Sequence, residues 1–124
     1  MTIIFEKGIP GFEEYTKYKL KDIENYEPFK VLESEENNEL SIEVISPFEI
    51  NNTYEIKLSD SIINRLKIES SEDVMLLSTV TLNSDASKIT TNLRAPFVIN
   101  IKNGFGEQLI IDNEKYKIKH PIYS

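Results

Sequence analysis

One histidine, no cysteine and a local crowd of carboxylates are the chemical resources of this 124-residue chain. His120 stands three residues from Tyr123. No nucleophile-elbow pattern surrounds any serine, so no triad is recognisable around His120. The missing cysteine removes thiol nucleophiles, disulfides and thiolate metal ligands. Glu33, Glu35, Glu36 and Glu39 lie close together, but Glu35-Glu36-Asn37-Asn38-Glu39 lacks the glycine and the alternation of a calcium loop. Gly104 and Gly106 have no third glycine at dinucleotide-binding spacing, and no phosphate-binding G-x-x-x-x-G-K-[ST] loop occurs. A hydrolase built on two carboxylates far apart in sequence is the enzymatic class left open. These residues predict no cofactor and no enzyme. The competing class is a small-ligand-binding or hydrolytic β-barrel.

Charge has two readings, a solubilising face or a surface for a protein partner. The segment from Glu33 to Asp73 holds 11 acids and 3 bases, a balance of −8 within a chain of net charge −7. Such a segment repels phosphates, which argues against direct nucleic-acid binding. It attracts a basic protein surface. Glu35, Glu36 and Glu39 occupy one polar connection and are candidate contact residues whose joint replacement leaves the core intact. Phe48 beside Pro47 and Phe105 at a hairpin tip are the aromatic candidates, because turns sit at the surface and exposed aromatics suit recognition. The other aromatics are expected in the core.

These candidates need elements to hold them. Thr90 to Ile111 reads as the organising hairpin, with Phe97 to Ile101 as one strand and Leu109 to Ile111 as the other. Asn103-Gly104 supplies a turn, either two residues long or extended as far as Gly106. Continuous apolar runs imply burial on both faces. Pro96 belongs at the strand entrance. Ile9 and Phe12 anchor a Gly8–Phe12 turn to the core. Tyr18/Leu20, Leu40/Ile42/Val44 and Tyr54/Ile56/Leu58 alternate with polar residues and predict half-buried strands. Phe29 to Leu32 and Val74 to Leu82 predict two more, the latter central. Ser59-Asp60 caps a helix from Ser61 to Ile68. Tyr116 to Ile122 forms a last strand or arm. The sum is an all-β, small single-domain antiparallel β-barrel-like fold over residues 1–124 with one short helix. No apolar run is long enough to span a bilayer, and no signal peptide is evident, which predicts a cytoplasmic protein.

Gly8-Ile9-Pro10-Gly11-Phe12-Glu13, Pro28-Phe29-Lys30-Val31-Leu32-Glu33-Ser34 and Ser46-Pro47-Phe48 resemble successive blocks of the flagellar assembly factor FliW family. Thr91-Asn92-Leu93-Arg94-Ala95-Pro96-Phe97-Val98-Ile99-Asn100, Gly106-Glu107-Gln108 and Tyr116 through Ile122 continue the resemblance in family order. Glu33 and Ser46 depart from it, standing where the family often has glutamine and aspartate. The resemblance implies a non-enzymatic protein with two partners. One is flagellin, bound in the cytoplasm before export. The other is CsrA, a basic RNA-binding homodimer that represses flagellin translation. Released protein would bind CsrA beside its RNA site and relieve repression.

Overall fold

Short strands bury their apolar faces only by pairing side by side. The computed structural model describes residues 1–123 and shows that pairing. Five strands form an antiparallel meander: β1 (Thr2–Ile4), β2 (Lys17–Asp22), β3 (Lys30–Ser34), β4 (Ser41–Ile45) and β5 (Val74–Thr81). β6 (Thr90–Thr91), β7 (Phe97–Asn100), β8 (Gly106–Gln108) and β9 (His120–Pro121) extend it to nine strands. Helices α1 (Pro47–Ile50) and α2 (Asp60–Leu66) lie between β4 and β5.

β5 is shared by three neighbours. Ser78 and Thr79 pair with β4, Val74 to Leu77 with β7, and Val80 and Thr81 with β6. Successive side chains on a strand point to opposite faces. Met75 and Leu77 therefore join a first core with Ile3, Phe5, Tyr18, Leu32, Val44, Phe97 and Ile99. Val74 and Leu76 join a second core with Tyr54, Ile62, Leu66, Leu93, Val98 and Tyr116. All four residues of β7 are buried, as the unbroken apolar run predicts.

The sheet is open rather than a closed barrel. Its β1 edge reaches the β7–β8 hairpin through one parallel bridge, Ile4 to Phe105, with the Ile4 N–H donating to the Gly104 carbonyl at 2.8 Å. A single bridge leaves the ladder incomplete. Glycine permits even this approach: Gly104 has φ +79°, and a Cβ there would lie 2.5 Å from the Thr2 carbonyl oxygen.

Several expectations differ from the structure. Tyr54 to Leu58 is irregular chain, not a strand. The second hairpin strand is Gly106–Gln108 rather than Leu109 to Ile111, because the turn runs on to Phe105, whose carbonyl accepts the Asn100 N–H at 2.8 Å. Leu109 and Ile111 keep isolated bonds to the Pro96 and Arg94 carbonyls. Gly106 is pressed between Phe5 and Ile3, where a Cβ would come within 2.9 and 3.1 Å of their side chains. Leu82 and Ile101 lie just past the ends of β5 and β7 and are exposed, and Phe12 is exposed while Ile9 is buried. Helix α1 was not expected: Ser46 caps it by accepting the Phe48 N–H at 3.3 Å, and Pro47 supplies its fixed first turn.

Val98→Asp should abolish cooperative unfolding, because Val98 is 0% exposed and an unpaired buried carboxylate costs on the order of the total stability. Gly104→Ala should lower the thermal midpoint measured by circular dichroism, costing about 1–3 kcal/mol of backbone strain. A midpoint equal to the parent's would remove Gly104 from the closure of the β1 edge.

Candidate functional site

Pro47 cannot donate to a sheet ladder, so the chain leaves β5 at the end of β4 and must cover the second core by other means. α1 turns the chain. Asn51 then accepts the Thr53 N–H at 3.0 Å and redirects it along Tyr54 to Leu58. The Tyr54 N–H donates to the Asn51 carbonyl at 2.9 Å, and both backbone groups of Glu55 go to a side chain: Tyr116 Oη accepts the Glu55 N–H at 2.9 Å and donates to the Glu55 carbonyl at 3.0 Å. Tyr54 Oη donates to the Leu93 carbonyl at 2.6 Å, and burial, then the neighbouring Tyr116, pushes its pKa upward. The two rings stand 4.6 Å apart. This stitching replaces the strand pairing that the alternation of Tyr54, Ile56 and Leu58 suggested.

α2 follows at once. Ser59 Oγ accepts the Ile62 N–H at 3.3 Å as its N-cap, and Lys67 ends it in a left-handed conformation, φ 56°. The β7–β8 turn receives its C-terminus. Asn100 Nδ2 donates to the carbonyls of Leu66 (2.9 Å) and Lys67 (3.1 Å), and Asn103 Nδ2 also donates to Leu66 (3.1 Å). At the helix flank, Arg65 grips Glu107 of β8 through two bonds of 2.8 and 2.7 Å.

Between α1, the Tyr54–Leu58 segment, α2 and the first half of β5 lies a groove of ≈ 470 Å³. Ile56, Leu58, Ile63, Ile68 and Val74 line it and are only half-buried. Phe48 stands at its edge, 47% exposed and edge-on to Tyr54 at 5.9 Å. Glu55 and Glu69 are exposed in its lining, and no lysine or arginine lines it.

The five residues singled out from sequence do not converge on one place. Glu35, Glu36 and Glu39 are exposed in the turn between β3 and β4. Glu36 has structural work there. Its carboxylate accepts the Lys17 N–H at 2.9 Å and the Thr16 N–H at 2.7 Å, bonds that hold its pKa below the ordinary range and fasten the turn to β2. Replacing all three acids therefore disturbs a strand end as well as a charge. Phe105 is not an exposed tip: it is half-buried against the second core, with Lys67 Nζ 5.8 Å from its ring centroid. His120 sits in β9, paired with Thr91. Phe48 alone lines the large groove. The other groove residues escaped sequence reasoning because they come from four separated segments.

A family model described as FliW protein matches residues 1–122. A relative from Clostridium beijerinckii named flagellar assembly factor FliW is 55% identical over 120 residues, which cover 97% of this chain and 85% of the relative. One of the same name from Clostridium tetani is 52% identical over 121 residues, covering 98% and 83%. A crystal structure of the flagellar assembly factor FliW superposes with a TM-score of 0.92 at 37% identity, covering 99% of this chain and 86% of that one.

The Arg65–Glu107 pair should make stability depend on pH. Arg65, bonded to Glu107, holds that carboxyl below its ordinary pKa against the opposing effect of burial, with Lys7 at 3.7 Å adding to it. A depressed carboxylate contributes stability above the ordinary glutamate pKa of about 4.3, and the contribution fades as pH falls through the lower folded value. Arg65→Gln should thus lower stability at neutral pH and move the acid-unfolding midpoint upward in a circular-dichroism titration. An unmoved acid midpoint would show that the pair contributes nothing.

Proposed function

The chain belongs to the FliW family, and on that premise we propose that it is a non-enzymatic flagellar assembly factor that binds flagellin in the cytoplasm. When flagellin has been exported, the free protein binds the translational regulator CsrA and relieves its repression of flagellin synthesis. The observation that carries this reading is family likeness along nearly the whole chain, from residue 1 to residue 122. Among the described residues no helix is long and apolar enough to cross a membrane.

The charge distribution supports the CsrA arm. The Glu33 to Asp73 segment carries its excess of −8 largely on exposed side chains, Glu35, Glu39, Glu49, Glu55, Glu69 and Glu72 among them. Negative charge held beside a basic RNA-binding surface raises the cost of bringing phosphates there. Antagonism then needs no occupation of the RNA site itself.

Isothermal calorimetry of the purified chain with flagellin, and separately with CsrA, should give saturable heats in both titrations; no heat with either overturns the proposal. Glu35→Gln combined with Glu39→Gln removes two charges while sparing the bonds of Glu36. Exposed pairs are worth about 0.2–1 kcal/mol each, so affinity for CsrA should fall roughly two- to thirtyfold. Surface-plasmon kinetics should place most of that loss in the association rate at low salt, and added salt should erase it. An unchanged association rate would remove this turn from the regulator's contact surface.

A further inference from the structure

We propose that the groove beside α2 docks a helical segment of a protein partner, one that inserts apolar side chains and carries lysine or arginine on its flanks. This goes beyond the partner assignment above: it names the surface and the chemistry of what enters, whichever partner carries the segment.

Three observations support it. The first is capacity. The groove's ≈ 470 Å³ is about three times the roughly 150 Å³ of a cavity that holds a benzene ring, so about three large apolar side chains fit. Ile56, Leu58, Ile63, Ile68 and Val74 are the half-buried aliphatics that would become fully buried. Phe48, exposed at the edge, is placed as the aromatic anchor common at binding hot spots.

The second is charge. Glu55 and Glu69 line the groove, and Glu49 and Glu72 are their exposed sequence neighbours on α1 and on the Ser71–Asp73 turn. The nearby cations point elsewhere: Lys67 lies over the Phe105 ring, and Lys57 lines a separate groove with Ile110 and Tyr116. A cationic flank is matched here and an anionic one is repelled.

The third is the backbone. Aliphatic and aromatic side chains make up two thirds of the lining, so an occupant's N–H and C=O groups find few side-chain partners there and are best satisfied internally. A helix does so while presenting side chains at i, i+3 or i+4, and i+7 along one stripe.

The test titrates the ¹⁵N-labelled full chain with synthetic peptides of about 15 residues, long enough to fold on contact. One carries leucine at i, i+3, i+4 and i+7 and lysine at the positions flanking that stripe. The second replaces lysine by glutamate, and the third replaces leucine by serine. The leucine–lysine peptide should bind and shift the amides of Phe48, Ile56, Ile63, Ile68 and Val74. The other two should bind at least tenfold more weakly. Ser71→Trp fills the groove from an exposed position whose hydroxyl caps nothing, so it should keep the thermal midpoint and weaken binding at least tenfold. Glu55→Gln with Glu69→Gln should weaken it severalfold at low salt only.

No binding, shifts centred elsewhere, equal binding by the serine–lysine peptide, or equal binding by a folded Ser71→Trp protein would each overturn the proposal. So would uptake of the small apolar dye anilinonaphthalene sulfonate without peptide binding, which would make the groove a small-molecule site. Failure of the flagellin or CsrA titrations leaves this outcome independent, because neither protein is used.

Discussion

The pairing of β5 with β7 is the constraint on which the rest of the molecule depends. Leu76 faces Val98 and Leu77 faces Phe97 in register. Because faces alternate along each strand, this wall divides two apolar cores. A slip of one residue would send Phe97 and Ile99 into the second core and Val98 into the first. No other pair of strands carries that burden. β2, for example, keeps only Tyr18 fully buried and leaves its other face to water. Asn100 at the end of β7 extends the wall's influence to α2 by capping the helix carbonyls with its amide.

The groove follows from how the second core is covered. The first core is wrapped by strands, which satisfy one another's backbones. The second is covered by α2 and by the irregular Tyr54–Leu58 segment, whose backbone leans on the Tyr116 hydroxyl. Irregular cover of that kind leaves aliphatic surface half-exposed beside a helix. The same stretch of sequence supplies the acids, so apolar contact and negative charge occur together. A partner surface that combined apolar anchors with cationic rims would gain orientation from the charges and affinity from the anchors.

Much of the fold was legible in the sequence because period-2 alternation reports which side chains turn inward. β2 and β4 follow from it, β5 and β7 from their apolar runs, and α2 from an apolar face at helical spacing behind the Ser59 cap. Alternation does not report where backbone bonds go. Tyr54, Ile56 and Leu58 alternate as a strand does, yet their segment bonds to a tyrosine from the far end of the chain. Gly106 looked like loop and is strand, because Phe5 and Ile3 leave no room for a side chain there. The structural role of Glu36 was hidden for a similar reason: Thr16 and Lys17 are distant in sequence. Phe48 was found by its place after Pro47. Phe105 was misjudged because a turn residue was assumed to face water.

The division into two cores also bears on how the chain is made. A ribosome adding about 5–20 residues per second would release β1 roughly 5 to 20 seconds before β7. From the completion of β4 at Ile45 to that of β7 at Asn100, about 3 to 11 seconds at that rate, the β1–β4 meander holds Ile3, Phe5, Tyr18, Leu32 and Val44 without Phe97 and Ile99 to roof them. Ile4 likewise waits for Gly104 before its backbone finds a partner. Between those points the nascent chain is an unroofed apolar tray, and truncated products ending before Phe97 would remain so.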